Sequence, residues 1–260
     1  MGALPPVALT IAGSDCSGGA GVQADLKVFT SLGVYGMSAI TCLVAETPKK
    51  VLSIQQTPVR SFNEQLDCCL AGMPVGAIKT GLLYSDQIIR AVKEKLEEVN
   101  CPLVVDPVMV SSSGKRLLQP NAIRALKELL PIATLVTPNI DESVLLSGQA
   151  IDSIATLESA AKKIFEYFGC GVLAKGGHLK TKYATDIFFD GNSTLKLEAE
   201  YIKGVVTHGT GCTYSACITA HLARGKGLQG SIERAKKNVT ACIRNAFQFP
   251  AWTALNHLPG

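Results

Sequence analysis

The chain has 260 residues, a length that suits one large α/β domain better than two small ones. Apolar residues make up 47% and charged residues 18%, which excludes a disordered chain and leaves enough apolar surface for a substantial core. The net charge of +4 comes from scattered basic residues, so we expect no nucleic-acid partner, and the apolar runs are too short to predict a membrane span.

Nine cysteines are an odd number, and they form no CxxC pair and no ligand-like spacing with the four histidines. This pattern favours reduced thiols and a cytoplasmic protein over a disulfide framework or a structural zinc site. The first residues, MGALPP, lack a basic segment followed by a long apolar run, so we expect no signal peptide.

Strand-like and helix-like patterns alternate along the chain. The predicted strands are 7–11, 38–45, 51–57 (a flap or edge strand), 76–80, 103–106, 135–137, 172–175 and a hairpin of 185–189 with 195–201. The predicted helices are 22–32, 62–70, 86–99, 120–130, one that opens at 139, 156–168, 212–224 and 229–247. This alternation predicts a mostly parallel sheet covered on both faces. We find no linker or repeat, and therefore expect one domain over 1–260, with 250–260 as a tail of little regular structure.

A glycine-rich turn, THGTGC over 207–212, precedes a helical pattern of small residues. If the helix begins near Gly211, its first amides have no partners within the helix and form a pocket for negative charge. Cys212 would lie at that positive end, where the pKa of a thiol falls. The alternative is an ordinary glycine turn before a buried helix.

A second glycine-rich loop, 13–21, joins the first strand to the first helix, but its spacing matches neither GxGxxG nor GxxxxGK[ST]. Asp25 follows on the first turn of that helix. It either contacts what the loop holds or is a favourable charge at a helix N-terminus.

Polar groups stand at further predicted strand ends: Asp106, then Asn139 with Glu142, then Lys175. Parallel strands bring their carboxyl ends to one edge of a sheet, where ligands bind. Two carboxylates suit a hydrated Mg²⁺, a lysine suits a phosphate, and glycine-turn amides suit charge on a transferred group. Each residue alone could be a cap or a solvated end, but together they indicate phosphoryl transfer without a Walker loop.

Seven segments carry a resemblance to the ribokinase-like superfamily, and within it to the hydroxymethylpyrimidine/phosphomethylpyrimidine kinases of thiamine biosynthesis. They are LTIAGSDCSGGAGVQADLK (9–27), YGMSAITCLVAE (35–46), IKTGLL (78–83), VVDPVM (104–109), TPNIDE (137–142), AKGGH (174–178) and THGTGCTYSA (207–216). The resemblance implies a three-layer α/β/α fold, a homodimer, and the use of ATP and Mg²⁺.

The resemblance also implies roles for individual residues. Cys212 stands where many relatives carry an aspartate base, and the amides of 209–212 would form the anion hole. Asn139 and Glu142 match an NxxE motif that organises Mg²⁺, with Asp106 assisting. The implied nucleotide-binding residues are Lys175, Thr207, Gly209, Thr210 and Gly211, and the implied substrate-pocket residues are Gly13, Asp25, Glu46, Leu82 and Val108.

Glu46 departs from the family pattern, which has a glutamine there to read the aminopyrimidine ring. A glutamine donates and accepts at once, whereas an ionised glutamate only accepts. We therefore keep the pyrimidine alcohol as first substrate and a pyridoxal-type alcohol as the alternative. A non-catalytic ligand-binding relative is a further alternative, and a sugar kinase is disfavoured because Cys212 replaces the aspartate base.

Overall fold

A computed structural model describes residues 4–47, 50–109, 117–179, 181–205 and 208–258 of the chain. Within these ranges nine strands form one sheet in the order β3-β2-β1-β4-β5-β6-β7-β8-β9. The strands are β1 (Val7–Asp15), β2 (Tyr35–Thr47), β3 (Lys50–Gln56), β4 (Val75–Thr80), β5 (Leu103–Val105), β6 (Leu135–Val136), β7 (Gly171–Lys175), β8 (Ala184–Phe189) and β9 (Thr194–Ala199). The six strands from β2 to β7 run parallel, and β3, β8 and β9 pair antiparallel at the two edges.

Helices cover both faces of this sheet. They are α1 (Gly21–Ser31), α2 (Val59–Gly72), α3 (Asp86–Leu96), α4 (Pro120–Leu129), α5 (Ile140–Ser147), α6 (Ile154–Phe168), α7 (Thr210–Ala223) and α8 (Leu228–Arg244). Buried residues of α2 to α6 form one hydrophobic core with the sheet, and those of α1, α7 and α8 form the other. The predicted three-layer α/β/α fold is therefore confirmed.

The two cores exist because successive strand residues point to opposite faces. In β5, Val104 faces the core of α1, α7 and α8, while Val105 faces the core of α2 to α6. Leu135 and Val136 divide in the same way in β6. Strands buried on both faces read as continuous apolar runs, which is why the sequence pattern indicates parallel pairing here.

One strand boundary differs from the sequence-based expectation. The strand predicted to end at residue 11 continues to Asp15, because the long β2 strand keeps pairing with it past an irregularity between Ala12 and Ser14. The run 51–57 is an antiparallel edge strand, β3, one of the two forms expected for it. The run 111–114, SSSG, whose composition predicts a loop, lies outside the described residues.

The part of the predicted tail over 250–260 that the structure describes has little regular structure, as expected, but it is packed against the rest of the protein. A hairpin of β10 (Phe247–Gln248) and β11 (Thr253–Ala254) follows α8. Beyond it Leu255 and His257 are buried, with 3% and 6% of their surface exposed. Exposed polar and aromatic residues around the turn hide this packing in the sequence. Among the described residues no helix has the length and apolar character needed to cross a membrane.

Candidate active site

A cavity of about 790 Å³ opens where the parallel strands end. The ends of β1 and β4 contribute Gly13 and Leu82 to its lining, and the ends of β5 and β7 contribute Asp106 and Lys175. Strand order reverses between β1 and β4, and the crevice at such a reversal is the usual ligand site of an open α/β sheet.

The glycine turn before α7 forms a pocket of free amides in this cavity. Gly209 is the N-cap of α7 with φ +81°, and a Cβ there would collide with the carbonyl oxygen of Gly19. A Cβ on Gly211 would lie 3.3 Å from Lys175 Nζ and 3.6 Å from Asp106 Oδ2. Gly209 is therefore required by close approach, a side chain at Gly211 would crowd the Lys175 ammonium, and the helix N-terminus directly faces a cation and a carboxylate. Thr210 also lines the cavity.

Lys175 and Asp106 form an ion pair beside this turn. Lys175 Nζ lies 3.1 Å from Asp106 Oδ1, which also accepts from Thr137, and Ser215 Oγ donates to Asp106 Oδ2 at 3.2 Å. Burial by itself would lower the pKa of Lys175, but Asp106 and Glu142 raise it overall, so the ammonium stays charged. The pair presents one positive and one negative group to the same space.

The NxxE motif is a helix cap in this structure. Asn139 Oδ1 accepts from the Glu142 amide at 2.9 Å, and Glu142 Oε2 accepts in return from the Asn139 amide at 2.9 Å. The other oxygen, Oε1, accepts from the Met109 amide at 3.0 Å. Burial raises the pKa of Glu142 to about 7, with Lys175 opposing and Asp106 adding to the rise. Asn139 and Glu142 both line the cavity, so the cap and the expected metal site coincide.

Cys212 lines the cavity, but its thiol is not the activated group that the sequence predicts. Burial raises the pKa of the Cys212 thiol to about 11, and the charge of Asp25 adds to this rise. The Lys79 charge and the Gly21 amide, which donates to the sulfur, lower the pKa but do not reverse the direction. This direction is opposite to the lowered pKa expected from the sequence, because burial of the sulfur outweighs the Lys79 charge and the Gly21 amide.

Asp25 does not line the cavity, so its contact with substrate stays a prediction that this geometry does not support. Its carboxylate is fully buried and accepts from Lys79 Nζ at 2.6 and 2.7 Å and from Thr10 Oγ1 at 2.6 Å. Burial by itself would lower the pKa of Lys79, but the facing carboxylate raises it overall. A lysine among the uncharged residues of β4 indicates that some partner is needed, since a buried charge must be paired, but it does not identify Asp25 as that partner.

The remaining substrate-pocket predictions, Gly13, Glu46, Leu82 and Val108, all line the cavity. Val108 has φ +39°, a left-handed conformation that is costly for a β-branched residue and is found where a site over-determines the backbone. Thr207 lies outside the described residues.

A contact between Asp15 and His208 in the cavity was not predicted from the sequence. His208 Nε2 lies 3.1 Å from Asp15 Oδ2, which also accepts from Ser17 Oγ and the Ala20 amide. Asp15 raises the pKa of His208 against the opposing effect of burial. Glu46 stands beside the pair with its pKa raised by burial and by Asp15. The loop over 13–21 held the signal, an aspartate between glycines, but its histidine partner is remote in sequence.

A glycine turn with helix N-terminal amides, a lysine and two acids at one sheet edge define a small-molecule kinase with a three-layer α/β/α fold. Comparison with known proteins narrows this class. The sequence model of the phosphomethylpyrimidine kinase family matches residues 15–255. A hydroxymethylpyrimidine/phosphomethylpyrimidine kinase of Rhizobium meliloti (strain 1021) is 43% identical over 242 residues, covering 92% of this chain and 91% of the relative. The chain therefore belongs to the phosphomethylpyrimidine kinase family.

Two solved structures share the fold. The ADP complex of Bacillus subtilis pyridoxal kinase superposes with a TM-score of 0.91 at 39% identity, covering 98% of both chains. The phosphomethylpyrimidine kinase of Clostridium difficile 630 superposes with a TM-score of 0.81 at 37% identity, covering 90% of this chain and 97% of that one. This chain is thus similar to kinases with two different named substrates.

Proposed function

We propose that the protein transfers the terminal phosphoryl group of ATP to the hydroxymethyl group of 4-amino-5-hydroxymethyl-2-methylpyrimidine, and then to its monophosphate, in thiamine biosynthesis. The observation that carries the proposal is the placement of Gly211 against the Lys175–Asp106 ion pair, with Cys212 in the same cavity. Family membership supports the chemistry, because relatives carry this activity in their names.

The residues present fit ATP and Mg²⁺. The turn at Gly209 and Gly211 is a cradle that a Cβ would fill, as expected where phosphate oxygens approach backbone amides. The oxygens of Asp106 and Glu142 already accept protein donors, which leaves few open lone pairs. This suits Mg²⁺, which keeps several waters and takes one or two carboxylates. When bound, MgATP supplies the phosphoryl group, and its metal offsets phosphate charge.

The chain's own residues then have distinct tasks. The Lys175 ammonium and the amides of 209–212 bind and orient the phosphates, so that charge moving onto the transferred oxygens meets donors already in place. Side chains of α8, among them Val239, Thr240 and Ile243, line the same cavity and suit the base of the nucleotide. Gly13 and Leu82 border the space left for the alcohol.

Cys212 is proposed to receive the proton of the substrate hydroxyl at its sulfur. With a thiol pKa near 11, only a small share of the enzyme holds the thiolate at neutral pH. The Gly21 amide and the Lys79 charge are the groups that favour that thiolate. Because a loose phosphoryl-transfer transition state places little demand on early deprotonation of the alcohol, a small reactive share is compatible with turnover.

A pyridoxal-type alcohol is the second candidate substrate, and Glu46 is the observation that favours it. Burial and Asp15 raise the pKa of Glu46, and an ionised carboxylate accepts hydrogen bonds only, unlike the glutamine that the family pattern has at this position. The similarity to a pyridoxal kinase structure over 98% of the chain supports the same candidate. The two substrates differ in which ring edge must be read, so one residue can shift the preference.

The test is ATP consumption with a panel of pyrimidine and pyridine alcohols. For the parent chain we expect phosphorylation of the aminopyrimidine alcohol, with turnover increased in Glu46→Gln. Cys212→Ala is expected to lose most turnover while it still binds ADP. Near-normal turnover in Cys212→Ala would remove the base assignment, and no ATP consumption with any alcohol would favour a ligand-binding relative.

Cellular location and assembly are also proposed. All nine cysteines are free thiols, which supports a reducing compartment, the cytoplasm. A homodimer is implied by the family resemblance. Sedimentation of the purified chain measures the second proposal, and a monomer at micromolar concentration would contradict it.

A further inference from the structure

The segment over 247–258, here called the strap, returns from the end of α8 to the start of the catalytic helix α7. After its hairpin, the Asn256 amide donates to the Cys242 carbonyl of α8 at 3.3 Å. Leu255 is 3% exposed and anchors the strap in the protein interior. The strap then places His257 against the first turn of α7.

The contact itself is a buried hydrogen bond. His257 Nε2 lies 3.0 Å from Thr213 Oγ1, and these residues are 6% and 0% exposed. Burial, together with the charge of Lys27 on α1, lowers the pKa of His257 to about 4. The ring is therefore neutral at pH 7, with one donor and one acceptor nitrogen, and the Thr213 hydroxyl can satisfy either.

Thr213 connects the strap to the backbone of the phosphate pocket. It directly follows Cys212, and its amide donates to the Gly209 carbonyl at 2.9 Å, which closes the first turn of α7. Its side chain does not line the cavity, so it acts on ligands only through the backbone of this turn. A displacement of about 1 Å in a catalytic group can cost about a hundredfold in rate.

We propose that His257 is a positioning residue for phosphoryl transfer, which holds the amides of 209–213 and the sulfur of Cys212 in register through its hydrogen bond to Thr213. His257 does not line the cavity, so it would contact neither nucleotide nor alcohol. Its effect falls on the geometry of the phosphate pocket and leaves the alcohol pocket at β1 and β4 unchanged.

The test compares variants that break the bond with variants that keep it. His257→Leu removes the ring nitrogens, and Thr213→Val removes the hydroxyl at nearly constant shape. His257→Gln and Thr213→Ser each retain a polar group at the contact. Leu258→Ala is the matched control, since Leu258 is 71% exposed and adjacent to the residue tested.

We expect His257→Leu and Thr213→Val each to lower kcat about tenfold, with the KM of the alcohol unchanged and the double variant no worse than either single one. His257→Gln and Thr213→Ser should recover most of the loss. Amide hydrogen exchange at 210–213 should be faster in the first two variants only. Assays are run below the Tm of each variant, so that unfolding does not contribute.

Three results would overturn the proposal: unchanged kcat and exchange in His257→Leu, losses that add in the double variant, or a loss in His257→Gln equal to that in His257→Leu. The kinetic part rests on the proposed function, whereas the exchange part does not. If the parent chain shows no kinase activity, exchange alone still decides whether the strap holds the turn.

Discussion

The buried ion pair between Lys79 and Asp25 predicts that Asp25→Asn destabilises the fold. Both side chains are completely buried, and Lys79 Nζ lies 2.6 Å from Asp25 Oδ1. The substitution keeps the size of the side chain and an acceptor for Thr10, but it removes the charge that balances the ammonium. An uncompensated cation would then remain between β4 and α1.

Breaking a buried pair by removing one partner costs about 3–5 kcal/mol, because the remaining charge stays desolvated. At about 2–4 °C per kcal/mol for a chain of this size, the lower figure of about 3 kcal/mol corresponds to a Tm loss of about 6–12 °C. Removing both charges together, as in Asp25→Asn with Lys79→Met, should recover most of this loss, since no unpaired ion is left.

Thermal unfolding followed by circular dichroism, with KM measured on the same samples, checks the reasoning. Glu64→Gln is the control, because Glu64 pairs with Arg60 at the surface, where the side chains are 60% and 90% exposed, and we expect no measurable change. An unchanged Tm in Asp25→Asn would refute the argument from burial. A large rise in the KM of the alcohol with an unchanged Tm would instead restore the sequence-based prediction that Asp25 contacts substrate.

Three further predictions concern the cavity. Gly211→Ala should lower kcat about tenfold with little change in Tm, because its Cβ would press on the Lys175 ammonium 3.3 Å away. The control is Gly230→Ala on α8, where a Cβ meets open space and kcat should not change. Equal effects of the two variants in an ATPase assay would contradict the crowding argument. If Cys212 is the base, log kcat/KM should rise about one unit per pH unit from about pH 7 to 10, and a flat profile would exclude it. The His208–Asp15 contact raises the pKa of the imidazole above 6.5, so its stabilisation is complete below that value and is lost as pH rises through the folded-state pKa. Urea unfolding between pH 5 and about 9 should show this decline in the parent chain and a smaller one in His208→Gln; identical curves would rule the contact out as its source.

The layered fold and the gathering of Asp106, Lys175 and Cys212 in one cavity were accessible from the sequence. Both follow from short-range patterns: apolar runs of strand length, helical periodicity between them, and the rule that parallel strands end at one edge. The rule needs no knowledge of side-chain contacts, which is why it worked for residues more than a hundred positions apart.

Properties that depend on a specific partner residue or on the degree of burial could not be predicted from the sequence. The partner of Asp25 lies 54 positions away, and nothing local to either residue distinguishes an ion pair from a ligand contact. The pKa of Cys212 was misjudged because the helix terminus is visible in a sequence, whereas the degree of desolvation is a property of the whole packed structure. The strap over 247–258 was missed for a similar reason, since its anchors are two residues within a stretch of turn formers.

The reciprocal cap at Asn139 and Glu142 has a consequence for how such chains diverge. The same carboxylate that would face the metal also starts α5, so a descendant that abandoned catalysis would still be under pressure to keep both residues for folding. Retention of the NxxE pattern therefore indicates an intact helix N-terminus and does not by itself indicate an active enzyme. Gly211 is the better indicator of retained catalysis, because the groups that a side chain there would crowd are the charged residues Lys175 and Asp106.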